Sequence, residues 1–155
     1  MNINNLKTLA NKVRKDGKRL TLVHGVFDLI HVGHVRHLKE ASKIGDYLIV
    51  SVTTDKYVNK GINRPVYNHL ERAILIQSIR YVNAVFINNS PTAELVILET
   101  KPNYFVKGID YSFNNENITS NLQTELQALR QTGGKFLTTH SAKDSTTKII
   151  EKIKS

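Results

Sequence analysis

The chain has 155 residues, 40% of them hydrophobic and 23% charged, which fits one globular domain with a sizeable core. It contains no cysteine and no long apolar run, so disulfides, thiolate metal sites and a membrane-spanning helix are excluded. Lysine and arginine outnumber aspartate and glutamate by 22 to 13, and a net charge of +9 calls for anionic partners such as phosphates, nucleic acid or lipid.

In chain order, residues 3–16 place Ile3, Leu6, Leu9 and Val13 at helical spacing and stop near Asp16-Gly17. Residues 20–23 read as a buried strand. The stretch Gly25-Val26-Phe27-Asp28-Leu29-Ile30-His31-Val32-Gly33-His34 follows it and leads into a helix over 35–42, whose apolar series Val35, Leu38, Ala41, Ile44 stops at Gly45. Residues 47–53 are a continuous β-rich run, expected in the middle of a parallel sheet. A polar loop over 55–66 precedes a helix expected over 68–82, with Leu75, Ile76, Ile79 and Val82 on one face. Further strands are expected over 84–87, 104–106 and 135–137. Helices are expected over 91–100, opened by Pro91, over 118–131, ended by Gly133-Gly134, and over 146–154, opened by Ser145. Strand and helix alternate throughout, which predicts a parallel sheet covered on both faces and a single domain over 1–155. The loops 25–34, 55–65, 107–111 and 140–146 all follow strands, so they can converge beyond the carboxyl ends of the sheet, where ligands bind in such folds.

The stretch 25–34 joins a strand, a glycine turn and a helix start within about a dozen residues, and such a helix start offers free N–H groups and a positive dipole to a phosphate. His31 and His34, three apart, share one side of the first turn, and Gly33 lets a phosphate approach the backbone. A metal site built on His24, His31, His34 and His37 is not expected, because no carboxylate or cysteine cluster in the segment completes it.

Gly25-Val26-Phe27-Asp28 and His31-Val32-Gly33-His34 resemble the signature of the nucleotidyltransferase superfamily that contains the cytidylyltransferases and pantetheine-phosphate adenylyltransferase. The resemblance implies an α/β, Rossmann-like (HUP-type) domain with a five-stranded parallel sheet between helices. It implies that His31 and His34 bind a nucleoside triphosphate and stabilise charge on its phosphates, with magnesium arriving on the triphosphate. Asp28 is expected to organise the turn or to act as an indirect magnesium partner. Ser145-Thr146-Thr147-Lys148-Ile149 is similar to the family's Ser-Thr-Thr element, which implies phosphate contacts from Ser145, Thr146 and Thr147. Lys107-Gly108-Ile109-Asp110-Tyr111 resembles the Lys-Gly-x-Asp-Tyr loop of the heptose-1-phosphate adenylyltransferases, which implies Lys107 near phosphate and Gly108 and Asp110 near the base. Lys60-Gly61 and Arg64-Pro65-Val66 resemble the same subfamily's Lys-Gly-x-x-Arg-Pro-Val loop, implying that Lys60 and Arg64 stabilise charge on a sugar phosphate or on pyrophosphate. Arg72, in the helix beyond, is either part of the site or a solvated face.

The implied reaction joins an NTP, with ATP preferred, to a sugar phosphate such as D-glycero-D-manno-heptose 1-phosphate, as in nucleotide-sugar biosynthesis for lipopolysaccharide or capsule. One alternative is a CTP-dependent cytidylyltransferase acting on glycerol 3-phosphate or another alcohol phosphate. In those enzymes an Arg-Thr-x-Gly-Ile stretch usually precedes the Ser-Thr-Thr element; here that stretch reads His140-Ser141-Ala142-Lys143-Asp144. A second alternative, drawn from the basic charge, is a non-catalytic nucleotide- or RNA-binding module. His24 stands where many relatives carry a smaller polar residue. The resemblance implies a homodimer, with no stable nucleic acid and no membrane as partner. Residues 1–7 lack the apolar stretch of a secretory leader, so a cytoplasmic location is expected.

Overall fold

The computed structural model describes residues 1–108 and 119–140. Helix α1 (Ile3–Lys15) is started by Asn2, whose side chain accepts the backbone N–H of Asn5 at 2.9 Å, and it buries Leu6, Ala10 and Val13. The other elements are β1 (Leu20–Gly25), α2 (Val32–Ala41), β2 (Tyr47–Thr53), α3 (His69–Gln77), β3 (Ala84–Asn88), α4 (Glu94–Thr100), β4 (Tyr104–Lys107), α5 (Ser120–Thr132) and β5 (Lys135–Thr138). A single 3-10 turn, Asp55–Tyr57, follows β2.

All strand pairs are parallel, in the order β3-β2-β1-β4-β5. Strand β1 is central, and the chain grows outward on one side to β3 before crossing to β4 on the other. The carboxyl ends of β1 and β4 therefore border the switch point, where a crevice opens in sheets of this kind. Successive side chains of β1 alternate between faces. Leu20 and Leu22 pack with α1, α4 and α5, alongside Ile49, Phe86 and Phe105. Val23 packs on the other face with Val50, Val52 and Val106, covered by Leu38 and Ala41 of α2 and Ile76 of α3.

Local chemistry moves five of the expected boundaries. Helix α2 begins three residues earlier than periodicity suggests, because His31 caps it. The helix expected to reach residue 82 ends at Gln77, with Ser78 as its cap. Ile79 and Val82 reach the core through tight turns instead, with Ile79 N–H on Ile76 O and Val82 N–H on Ile79 O, while Leu75 is exposed. Helix α4 starts at Glu94 and not at Pro91, since the Asn88 amide donates to Ser90 O and Thr92 O and holds that segment in a turn. Strands β1 and β4 extend to Gly25 and Lys107, so His24 and Lys107 lie inside the sheet. After α5, Gly133 takes φ +75, the left-handed conformation that closes a helix at least cost in glycine. The expected final helix over 146–154 lies outside the described residues.

Candidate active site

The histidine stretch forms one compact turn above β1. Phe27 adopts φ +52, which reverses the chain after Gly25-Val26, and its ring is buried against the core. It meets His34 edge-on, ring centroids 5.4 Å apart. His31 is the N-cap of α2, and its Nδ1 accepts the Gly33 N–H at 3.1 Å. The His31 N–H in turn approaches His34 Nδ1 at 3.4 Å, so the two residues form a reciprocal capping box made of imidazoles. Their rings stack with centroids 3.8 Å apart. With both Nδ1 atoms accepting backbone N–H groups, a neutral ring in either place carries its proton on Nε2, and the His34 ring has the Leu29 backbone as a further partner. Burial pushes His34 down to about 3, with the charges of His31, His37 and Lys60 acting the same way, so it is a neutral hydrogen-bond donor near pH 7.

Asp28 is buried beneath this turn. Its Oδ1 accepts the Val66 N–H at 2.7 Å and its Oδ2 accepts from Arg64 Nε. The motif's carboxylate therefore holds the following loop, and Arg64 arrives at the site already paired. Lys60 lies on that loop's exposed tip with its amine turned toward the site: burial lowers it from its ordinary value, Asp28 opposes that shift, and its charge acts on His34. Arg72 is completely buried, so neither alternative held for it, open site residue or solvated face, describes it. Its guanidinium donates to Val26 O, to Thr53 O at 2.8 Å, to Asp55 Oδ1 at 2.6 Å and to Tyr67 O at 3.0 Å.

Below the strand ends lies a second group of polar side chains, on the face covered by α4 and α5. The ammonium of Lys107, the residue expected near phosphate, is buried and paired with Glu125 Oε2 at 2.9 Å, because β4 runs one residue further than expected and turns the side chain inward. Burial lowers the Lys107 amine from its ordinary value, and Glu125 opposes that shift. Glu125 Oε1 also accepts the Ala93 N–H at 3.0 Å, which ties the start of α4 to α5. His24 pairs its Nδ1 with Ser51 Oγ at 3.1 Å and its Nε2 with Thr53 Oγ1 at 3.4 Å; burial pushes it down to about 3, so it is neutral. On α2, His37 Nδ1 meets Thr139 Oγ1 at 2.7 Å and Glu40 accepts the His140 N–H at 2.9 Å, docking the end of β5 against the histidine helix.

Thus the structure brings Gly25, Val26, Phe27, Asp28, His31, Gly33, His34, Lys60 and Arg64 to one strand-end region, with Gly108 at the exit of β4. Among the described residues nothing lies within 4 Å of where a side chain at Gly108 would stand. Asp110, Ser145, Thr146 and Thr147 lie outside the described residues. Sequence reading missed Glu125, although a signal was present: it interrupts the apolar stripe Leu122, Leu126, Leu129 on the core face of α5. Among the described residues no group of three His, Cys, Asp or Glu side chains is placed to hold a metal ion.

The comparisons with known proteins agree with this geometry. The family model described as cytidylyltransferase-like matches residues 22–152. The chain is 34% identical over 152 residues to the bifunctional protein HldE of a Nitratiruptor species, covering 97% of this chain and 31% of that protein. It is 37% identical over 158 residues to the bifunctional protein HldE of Geotalea uraniireducens, covering 98% and 31%. The chain thus spans about a third of the length of these curated relatives. Among solved structures, the lipopolysaccharide core biosynthesis protein of Thermoplasma volcanium matches with a TM-score of 0.67 at 26% identity, over 82% of this chain and all of that one. Pantoate-beta-alanine ligase of Francisella tularensis, at 16% identity and a TM-score of 0.58, shares the fold over 94% of this chain and 67% of its own. With a paired-histidine helix start at the switch point of a 3-2-1-4-5 parallel sheet and a family match across most of its length, this chain belongs to the cytidylyltransferase-like family of nucleotidyltransferases.

Proposed function

We propose that the chain is one nucleotidyltransferase domain that joins an NTP, preferentially ATP, to a sugar phosphate of the heptose 1-phosphate kind and releases pyrophosphate. The observation that carries this reading is the imidazole capping box, which fixes the rings of His31 and His34 side by side at a helix start. A phosphate oxygen of the acceptor attacks the α-phosphorus, the bond to the β-phosphate oxygen breaks, and the electron pair leaves with pyrophosphate. No covalent nucleophile is needed, and the protein's part is to orient the phosphates and stabilise the charge they develop. His31 and His34 donate to the triphosphate, Gly33 admits it to the helix start, and Lys60 supplies a full positive charge from the loop. Ser145, Thr146 and Thr147, with Gly108 and Asp110, complete the nucleotide site in this reading.

Magnesium enters as the counterion of the triphosphate, neutralising its charge. The described carboxylates do not form a protein-held site for it: both oxygens of Asp28 are engaged by Arg64 and Val66, so no magnesium role is assigned to Asp28. The preference for ATP and a heptose phosphate rests on likeness to the HldE proteins, while the description of the matching family supports CTP as the second reading. No helix among the described residues is long and apolar enough to cross a membrane, and a cytoplasmic homodimer remains our reading of its setting. Leu70 and Ile74, 58% and 65% exposed and one turn apart on α3, supply an apolar stripe for a second copy.

The test is pyrophosphate release with each of the four NTPs, magnesium, and heptose 1-phosphate or glycerol 3-phosphate as acceptor. Release with ATP and the heptose phosphate is expected. Release only with CTP and glycerol 3-phosphate selects the second reading, and no release or NTP binding with any pair rejects both.

A further inference from the structure

The loop between β2 and α3 is tied to the histidine turn at both ends and packed against little in between. At its start, Asp55 accepts from Arg72 at 2.6 Å and from the His69 ring and backbone at 2.8 and 3.2 Å. At its end, Val66 and Arg64 are held by Asp28, and Tyr67 O by Arg72. Both tying residues also reach the motif: Asp28 belongs to it, and Arg72 donates to Val26 O. Between these ties residues 59–63 are exposed, with Ile62 at 92%, and Gly61 and Asn63 sit at φ +99 and +60. The ties set where the backbone of this tip stands, and the Lys60 amine reaches back from it toward Asp28, Arg64 and Arg72, where burial lowers it from its ordinary value.

We propose that Asp28 and Arg72 are positioning residues that clamp the two ends of the 55–67 strap to the histidine motif and so hold Lys60 ready for the acceptor phosphate. The proposal rests on the nucleotidyltransferase reading above for the identity of that phosphate. A cation on an unpacked tip must lose conformational freedom when it binds, and fixing both ends of its loop removes most of that cost beforehand. Arg64, on this account, is a tie and not a phosphate ligand. Asp28 sits inside the triphosphate motif in sequence yet acts on the acceptor side of the site. Arg72 satisfies four acceptors on three segments, which only a buried guanidinium with its forked donors can do.

Asp28→Asn keeps the side-chain shape and removes the charge, and Arg64→Gln breaks the same tie from the exposed side should the first variant fail to fold. Pyrophosphate release is measured with acceptor phosphate, NTP and magnesium varied separately, and NTP affinity by direct titration. Each variant is expected to raise the KM for the acceptor about tenfold, with NTP affinity and magnesium dependence unchanged. The double variant is expected to lose no more than the worse single one, because both cut one tie. An unchanged acceptor KM, additive losses, or a shift confined to NTP affinity or magnesium dependence overturns the proposal. Amide hydrogen exchange of the substrate-free protein gives a reading independent of catalysis: Asp28→Asn should speed exchange across 58–66 and leave the sheet protected. Unchanged exchange there overturns the clamp even if the protein proves to catalyse another reaction, and faster exchange in a protein without transferase activity rejects only the function.

Discussion

The two polar groups at the strand ends are built on opposite principles. In the floor, Lys107, Glu125, His24, Ser51 and Thr53 close on one another and on Ala93 N–H, in the body of the domain. In the rim, His31 and His34 are held through Nδ1 by backbone N–H groups, which turns the Nε2 side of each ring away from that support. A polar group whose bonds are all internal contributes to stability and to a unique packing. One fastened at a single end is oriented without being consumed, which is the condition for binding a phosphate. The contrast predicts that damage to the floor appears in folding and damage to the rim in turnover.

The largest effect is expected in the floor. Glu125→Ala leaves the Lys107 ammonium buried without its carboxylate and frees the Ala93 N–H, and should lower the unfolding free energy by about 3–5 kcal/mol in urea titration. Replacing both partners with apolar residues, Lys107→Met with Glu125→Leu, should recover most of that loss. If the double variant is no more stable than the single one, the floor does more than hold α4, α5 and β4 together. In the rim, His34→Ala should cost about 2.7–4 kcal/mol of transition-state stabilisation, read as a fall in turnover of roughly 10²–10³. Its melting temperature should fall by less than that of Glu125→Ala, since only a cap and two ring contacts are lost; unchanged turnover removes His34 from the chemistry.

A further effect is shared by both regions, is spread gradually over several pH units, and follows from burial of histidine. His24 and His34 are pushed down to about 3 and His37 to about 4, all by burial first. Because the unfolded chain binds protons at these positions below about pH 6.5 while the folded one does not, stability is complete above that value and falls as pH drops towards 4. Each histidine contributes up to about 1.4 kcal/mol per pH unit in that window. Urea unfolding at about pH 7 and about pH 5 measures the slope, and His37→Gln should flatten it. A pH-independent midpoint between those values contradicts the buried neutral state of all three.

How much of this was readable beforehand follows from distance along the chain. The strand over 47–53 agrees with β2 residue for residue, since a fully buried β-rich run leaves little choice. His31 and His34 were identifiable as partners because a helix start brings residues three apart together without help from the rest of the molecule. Asp28 and Arg64 are 36 residues apart, and Arg72 reaches Val26 over 46. Nothing local distinguishes a solvated arginine from one enclosed by four acceptors, so Arg72 carried no readable assignment. The pairing of Lys107 was hidden for the same reason: the strand continues through it, and only then does its side chain alternate inward to meet Glu125 from another helix.

By itself, then, the sequence determined what short-range physics controls: alternating strand and helix, a parallel sheet, and a glycine–histidine turn shaped for phosphate. Tertiary structure decided how each expected cation is held. Arg64 and Lys107 were drawn into ion pairs and Arg72 into the interior, because a buried charge must find a partner wherever the fold supplies one. Lys60 alone among these expected cations stands on an exposed tip, placed there by ties that run through Asp28 and Arg72.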